Sequence, residues 1–389
     1  MTTSKDDLSK LVDEFVFKDS ERAEPKAEAK PAKPLPPDFD ASKPCEAMTA
    51  VGAVPIEKTK TVKYSELFGW SKAVLKDSDG KEMEDFDVVV YDDEHWDADG
   101  LANVPKKDKF KGRVIDHRAV YPFVLGMQPQ FRGFKIMMVG PTGSGKSTLA
   151  EHYCATINQP FLRINGRQDM ESDTLLGKPW VSNDSMEYKI GEWPKASKAG
   201  WFVLVDEPFK IPSGIWMTAQ RHLERGGIWQ LDDIPAESLV DKQITPKSSY
   251  RCVLADNVVG TGDNVEQYGA TMIQDSSTLN RIDMVINVGY LKPAQEANII
   301  TKAYPAIPKH MATKMISLLN LLRAGFDSGE LSSPASIRNI EAWSEMTYKL
   351  GGDYAKAFQW ILLNRYADDT EAGAVRNHYF TVFGKHLSK

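Results

Sequence analysis

Hydrophobic and polar positions along this chain change rhythm twice. Between residues 114 and 290, short apolar runs recur and are separated by stretches of helical spacing. The strand candidates are residues 134–139 (FKIMMV), 161–164 (FLRI), 201–205 (WFVLV), 251–255 (RCVLA) and 284–288 (MVINV). Runs this apolar, alternating with helices, predict a mainly parallel sheet covered on both faces. After Leu291 the spacing turns helical. Ile316, Leu319 and Leu322, and then Ile337, Ile340 and Trp343, fall on single helix faces. Pro293, Pro308 and Pro334 are expected to open three helices, where proline costs least. Upstream, residues 64–70 (YSELFGW) and 86–91 (FDVVVY) predict a small folded unit. Residues 21–37 (ERAEPKAEAKPAKPLPP) offer too little apolar surface to offset chain entropy, so a disordered tail is expected. Residues 8–17 within that tail have helical spacing and suit either a docking helix or a frayed end. The expected divisions are a tail over 1–45, a small unit over 46–113, an α/β domain over 114–290 and a helical domain over 291–389.

One motif sits inside this pattern. Gly140-Pro141-Thr142-Gly143-Ser144-Gly145-Lys146-Ser147 matches the phosphate-loop spacing G-x-x-x-x-G-K-[ST] at every defined position. It follows a predicted strand and precedes a helical segment, residues 147–158. Glycines let the backbone curl so that several N–H groups face one anion, and the helix start adds its positive dipole end. Lys146 is expected to reach the β- and γ-phosphates of ATP, with Thr148 completing the binding set. The Ser147 hydroxyl is a candidate Mg²⁺ ligand.

Composition changes this picture little. A hydrophobic share of 42% over 389 residues supports a sizeable core. The net charge of −6 argues against a dedicated nucleic-acid binder, although local clusters such as Lys106, Lys107, Lys109 and Lys111 leave a basic groove open. Cys45, Cys154 and Cys252 are odd in number and far apart, so neither a zinc site nor a disulfide framework is expected. A charged N-terminus and the lack of any membrane-length apolar run make the cytoplasm the expected compartment. The acidic cluster Asp92, Asp93, Glu94, Asp97 and Asp99 lacks the EF-hand register and reads as a solvated loop.

Further chemistry lies at the strand ends. The run 201–205 ends in Asp206 and Glu207, which is what a Walker B element requires. Asp206 is expected to hold Mg²⁺ through water, opposite Ser147, and Glu207 to polarise the attacking water. Asn257, after the strand at 251–255, is a candidate bridge between that water and the γ-phosphate, although an ordinary strand end reads the same. Arg281 is a candidate for stabilising transition-state charge across a subunit boundary. The alternative is a surface arginine paired with Asp283.

Together these elements resemble the MoxR-like group of AAA+ ATPases and, within it, the small ATPase subunits of aerobic cobaltochelatase. The resemblance covers about residues 114–303. It also rests on Arg163-Ile164-Asn165-Gly166 with the following DTLLG (residues 173–177), the helix candidate 215–227 (IWMTAQRHLERGG), the run 257–263 (NVVGTGD), Tyr268-Gly269 and Asn280-Arg281. It implies a P-loop NTPase core, a five-stranded αβα sandwich with a helical C-terminal lid, assembled as a hexameric ring. Arg281 then acts as an arginine finger on a neighbour's nucleotide. The family's second sensor arginine often follows Ser-Pro directly. Here Ser333-Pro334 is followed by Ala335, and Arg338 stands one turn further on. Residues 178–193 fall where the group carries an insert facing the ring pore. Trp180, Tyr188 and Trp193 there suit either substrate gripping or core packing. The expected function is an Mg-dependent ATPase motor that remodels or activates a protein partner, with metal insertion into a tetrapyrrole as one outcome. A nucleic-acid motor and a nucleotide-gated assembly protein with negligible hydrolysis are the alternatives.

Overall fold

The computed structural model describes residues 58–70, 75–76, 80–110, 117–128, 134–182, 185–224, 226–257 and 280–387. The expected tail, the segment 8–17, Cys45 and the run after Asn257 up to residue 279 lie outside the described residues. The described residues up to Leu291 form one compact unit, and those from Lys292 another.

The first unit contains β1 (Thr59–Lys63), β2 (Asp87–Tyr91), α1 (His117–Gly126), β3 (Ile136–Val139), α2 (Lys146–Ile157) and β4 (Phe161–Asn165). It continues with β5 (Gly177–Ser182), β6 (Ser185–Ile190), α3 (Glu192–Ala199), β7 (Phe202–Asp206) and α4 (Ser213–Leu223). The last strands are β8 (Trp229–Gln230), β9 (Gln243–Ile244), β10 (Arg251–Asp256) and β11 (Met284–Asn287).

Five of these strands make a sheet in the order β11-β3-β10-β7-β4. Every pairing is parallel. Burial explains the composition of each strand. The central three, β3, β10 and β7, are buried at every position. Edge strands β4 and β11 carry polar and exposed positions, because only their inner parts meet the covering helices. The register sets Asp256 beside Val139 and Ala255 beside Asp206. The strand ends that carry the candidate chemistry therefore share one edge of the sheet.

Residues 58–110 contribute to the same apolar core. Tyr64, Phe86, Val88 and Tyr91 belong to one continuous cluster with Ile136, Val203 and Val253. Tyr64 stacks on Phe86 with ring centroids 5.2 Å apart. Asp85 accepts from the backbone N–H of Ser65 at 2.9 Å and from its hydroxyl at 2.8 Å, which ties the start of this segment to β2. The acidic cluster is used locally: Asp97 caps the turn starting at Ala98 by accepting from the Gly100 N–H at 2.7 Å, and Asp93 accepts from the Asn158 amide at 2.8 Å.

β5 and β6 form an antiparallel hairpin inside the expected insert. Its three aromatic residues separate by environment. Trp193 is buried at the start of α3, Tyr188 packs partly on the core, and Trp180 is half exposed beside Val181 and Met186.

The second unit consists of α5 (Pro293–Ala303), α6 (Lys309–Asp327), α7 (Ile337–Lys349), α8 (Tyr354–Ile361) and α9 (Asp369–Phe383). Its core draws Leu319 and Leu322 from α6, Ile340 and Trp343 from α7, Phe358 from α8 and Val375 from α9. A buried, bidentate ion pair joins α5 to α6: Arg323 donates to Glu296 at 2.8 and 3.0 Å. Pro293 opens α5 and Pro308 caps α6. Pro334 does not open α7. That helix starts at Ile337, because Ser336 and Asn339 form a capping box that satisfies its first N–H groups. Among the described residues, no helix is long and apolar enough to cross a membrane.

Candidate nucleotide site

The loop between β3 and α2 is shaped by close backbone approach. A Cβ on Gly140 would lie 2.1 Å from the Val288 carbonyl oxygen, so only glycine lets the loop leave β3 against the end of β11. Gly145, in the left-handed region at φ +98°, turns the chain into α2. Pro141, Thr142, Gly143 and Ser144 span the turn between them, and Ser147 and Thr148 begin the helix behind Lys146. Tyr290 donates its hydroxyl proton to the Thr142 carbonyl at 3.2 Å, which ties the loop crest to the end of the first unit.

Three strand ends converge on this loop. Lys146 Nζ donates to the carbonyl of Gly140 at 2.6 Å, to that of Pro141 at 3.2 Å and to the side-chain oxygen of Asn257 at 2.9 Å. This buried ammonium therefore links the loop to the end of β10. The Ser147 hydroxyl donates to Asp206 Oδ2 at 2.8 Å, linking α2 to the end of β7. Lys146, Ser147, Asp206 and Asn257 thus meet in one place. Oxygen donors from Ser147 and Asp206, one hydroxyl and one carboxylate, make a hard donor pair of the kind Mg²⁺ takes together with water and phosphate.

Glu207 follows directly, at φ +54° and ψ +49°. Such a conformation costs a non-glycine residue about 1–3 kcal/mol and persists only where its surroundings impose it. Here its N–H is held by the Ala255 carbonyl at 2.8 Å. Its carboxylate accepts from Lys210 Nζ at 3.0 Å.

Two candidates stand elsewhere. Arg281 precedes β11, at the sheet edge opposite the phosphate loop, and pairs with Glu224 just past α4 at 3.3 Å. Asp283 accepts from the backbone N–H of Lys135 at 2.9 Å. Arg338 lies in the first turn of α7, in the second unit.

The geometry also brings in two cations that sequence reasoning passed over. Arg163 on β4 forms an ion pair with Asp206 Oδ2, the same oxygen that Ser147 engages. Lys210 holds Glu207. An arginine inside the otherwise apolar run 161–164 (FLRI) was the available signal for the first; Lys210 offered none beyond its distance of three residues from Glu207.

A family model described as AAA domain (dynein-related subfamily) matches residues 135–299. The aerobic cobaltochelatase subunit CobS of a Sinorhizobium species is 30% identical over 263 residues, spanning 66% of this chain and 77% of that protein. The chain belongs to the MoxR-like AAA+ ATPases. The uncharacterized protein YojN of Bacillus subtilis (strain 168) is another relative of this AAA+ chain, 25% identical over 64% of the chain and 79% of that protein. Among solved structures, the Thermotoga maritima RuvB Holliday junction branch migration motor aligns with a TM-score of 0.38 and 14% identity, over 70% of this chain and 75% of that one. The parallel five-stranded sheet and the helical C-terminal unit are those of an AAA+ ATPase, and such a protein uses ATP.

Proposed function

We propose that this AAA+ ATPase hydrolyses Mg-ATP in a cytoplasmic ring, a hexamer, and uses the cycle to remodel or activate a protein partner. The partner class suggested by the cobaltochelatase relative is an enzyme that inserts metal into a tetrapyrrole. The observation that carries the reading is the convergence of Lys146, Ser147, Asp206 and Asn257 at the phosphate loop.

In this reading the backbone N–H groups of residues 142–148 and the positive end of α2 hold the phosphates. Lys146 exchanges its loop carbonyls for β- and γ-phosphate oxygens. Ser147 and Asp206 would hold Mg²⁺, which would supply positive charge against the phosphate oxygens. Glu207 orients the attacking water and takes its proton, while Asn257 positions that water against the γ-phosphate. The water oxygen bonds to the γ-phosphorus as the bond to the β-phosphate oxygen breaks, leaving ADP and phosphate. Arg281, at the far edge of its own sheet, supplies a cation to a neighbour's nucleotide. Arg338, in the first turn of α7, takes the second-sensor role that the family resemblance implies.

Glu207→Gln loaded with Mg-ATP provides the test, because it holds the ATP-bound form. The expected outcome is recovery of a discrete protein partner that is released when ADP replaces ATP. Recovery of DNA or RNA instead, released by salt or nuclease, would replace the protein-remodelling reading with a nucleic-acid motor.

A further inference from the structure

We propose that Arg163 is a placeholder cation for Asp206, displaced when Mg-nucleotide binds, and that it thereby sets how much Mg²⁺ the site requires. The inference rests on the Mg-ATP reading of this site and deepens it.

Burial is unequal across the pair. The Asp206 side chain is 10% exposed, whereas the Arg163 side chain paired with it is 45% exposed. A carboxylate so withdrawn from water is costly without a counter-charge. A half-exposed guanidinium loses little on release, because water takes over its donors. Asp206 therefore needs a cation at all times, and Arg163 is able to leave.

Position makes the two cations rivals. Arg163 lies on β4, directly beside β7, and the register pairs Asn165, two residues on, with Asp206 itself. The guanidinium and the Ser147 hydroxyl engage the same oxygen, Asp206 Oδ2. A dication seated between Ser147 and Asp206 would meet the guanidinium at that oxygen. Like charges at contact distance repel, so the two cations compete for one carboxylate. The Ser147 hydroxyl is compatible with both, since it donates its proton to Asp206 and keeps its lone pairs for a metal.

Competition of this kind makes a specific signature. Breaking one charge-assisted hydrogen bond at a partly exposed pair corresponds to a factor of about three to ten in an equilibrium constant. That factor is charged to Mg²⁺ binding and not to the nucleotide itself.

The experiment is an equilibrium titration of a fluorescent ADP analogue on the full chain at increasing Mg²⁺, repeated in chelator, with thermal melting as a check on folding. Arg163→Gln is expected to lower the half-saturating Mg²⁺ concentration about three- to tenfold and to leave the affinity in chelator unchanged. Arg163→Lys, which keeps the charge but loses the planar fork, is expected to shift it the same way by a smaller factor. It also stands in if the Gln variant does not fold. An unchanged Mg²⁺ requirement in both variants overturns the proposal. So does equal weakening with and without Mg²⁺, which would make Arg163 a direct phosphate ligand. If the wild-type chain binds no nucleotide, or binds it without regard to Mg²⁺, the Mg-ATP reading itself falls and the inference with it.

Discussion

Replacing Gly140 by alanine tests whether the phosphate loop is held by backbone contact with β11. The added Cβ would lie 2.1 Å from the Val288 carbonyl oxygen and 2.9 Å from its carbon, and both are main-chain atoms that no rotamer change relieves. Restoring van der Waals distance requires the ends of β3 and β11 to part by more than about 1 Å. That movement sacrifices the hydrogen bond from Val288 N–H to the Val139 carbonyl, 2.7 Å long. Overpacking of this kind costs about 1–3 kcal/mol, and the lost hydrogen bond adds about 1 kcal/mol. For a unit of this size each kcal/mol lowers Tm by about 2–4 °C, so a fall of about 5–15 °C is expected. Scanning calorimetry measures it, and titration with an ATP analogue reports the accompanying loss of affinity. Gly214→Ala is the control. It lies in α4 with nothing within 4 Å of the added carbon, and it should be neutral or stabilising by up to about 1 kcal/mol. A Gly140→Ala protein that melts like wild type and binds nucleotide as tightly would refute the reasoning.

Three other outcomes are expected. Arg323→Met strands the buried Glu296 carboxylate and should destabilise the helical unit by about 3–5 kcal/mol in urea unfolding, whereas the double variant with Glu296→Met should recover most of the loss. His222 is buried against Trp229 and bonded to Tyr250 at 2.8 Å, and desolvation followed by the nearby Lys135 holds its pKa well below the ordinary value. The unfolded chain then binds the extra proton below about pH 6.5, so stability falls as pH drops from there toward the folded pKa, and His222→Gln should flatten that part of the unfolding profile. Arg281→Ala should leave nucleotide binding intact but cut turnover about 10³-fold or more in the assembled protein, and mixing it with wild-type subunits should poison their turnover; unimpaired activity would count against a role in trans.

The sheet was legible because each of its strands is a short apolar run, and the central ones are apolar on both faces. Boundaries moved by only a residue or two, as at β7, which spans Phe202–Asp206 where residues 201–205 were expected. The phosphate loop was legible because its glycines and lysine obey a spacing that backbone geometry dictates. The pairing of Arg163 with Asp206 was not, since it depends on which strand lies beside β7, and strand order is a long-range property. The hairpin β5–β6 escaped for a related reason. Its residues alternate too weakly to mark strands, and its aromatic side chains divide between core and solvent only after folding. At α7 the cap was the better guide than the proline, because Ser336 and Asn339 satisfy N–H groups that Pro334 cannot reach.

The most direct test of the central claim is steady-state phosphate release from ATP by wild type and Glu207→Gln, each with Mg²⁺ and with chelator, alongside nucleotide affinity. Mg-dependent turnover is expected in wild type. A loss of about 10²–10⁴-fold is expected in Glu207→Gln, with ATP binding retained. Turnover that survives Glu207→Gln undiminished, or proceeds equally well in chelator, would contradict the claim.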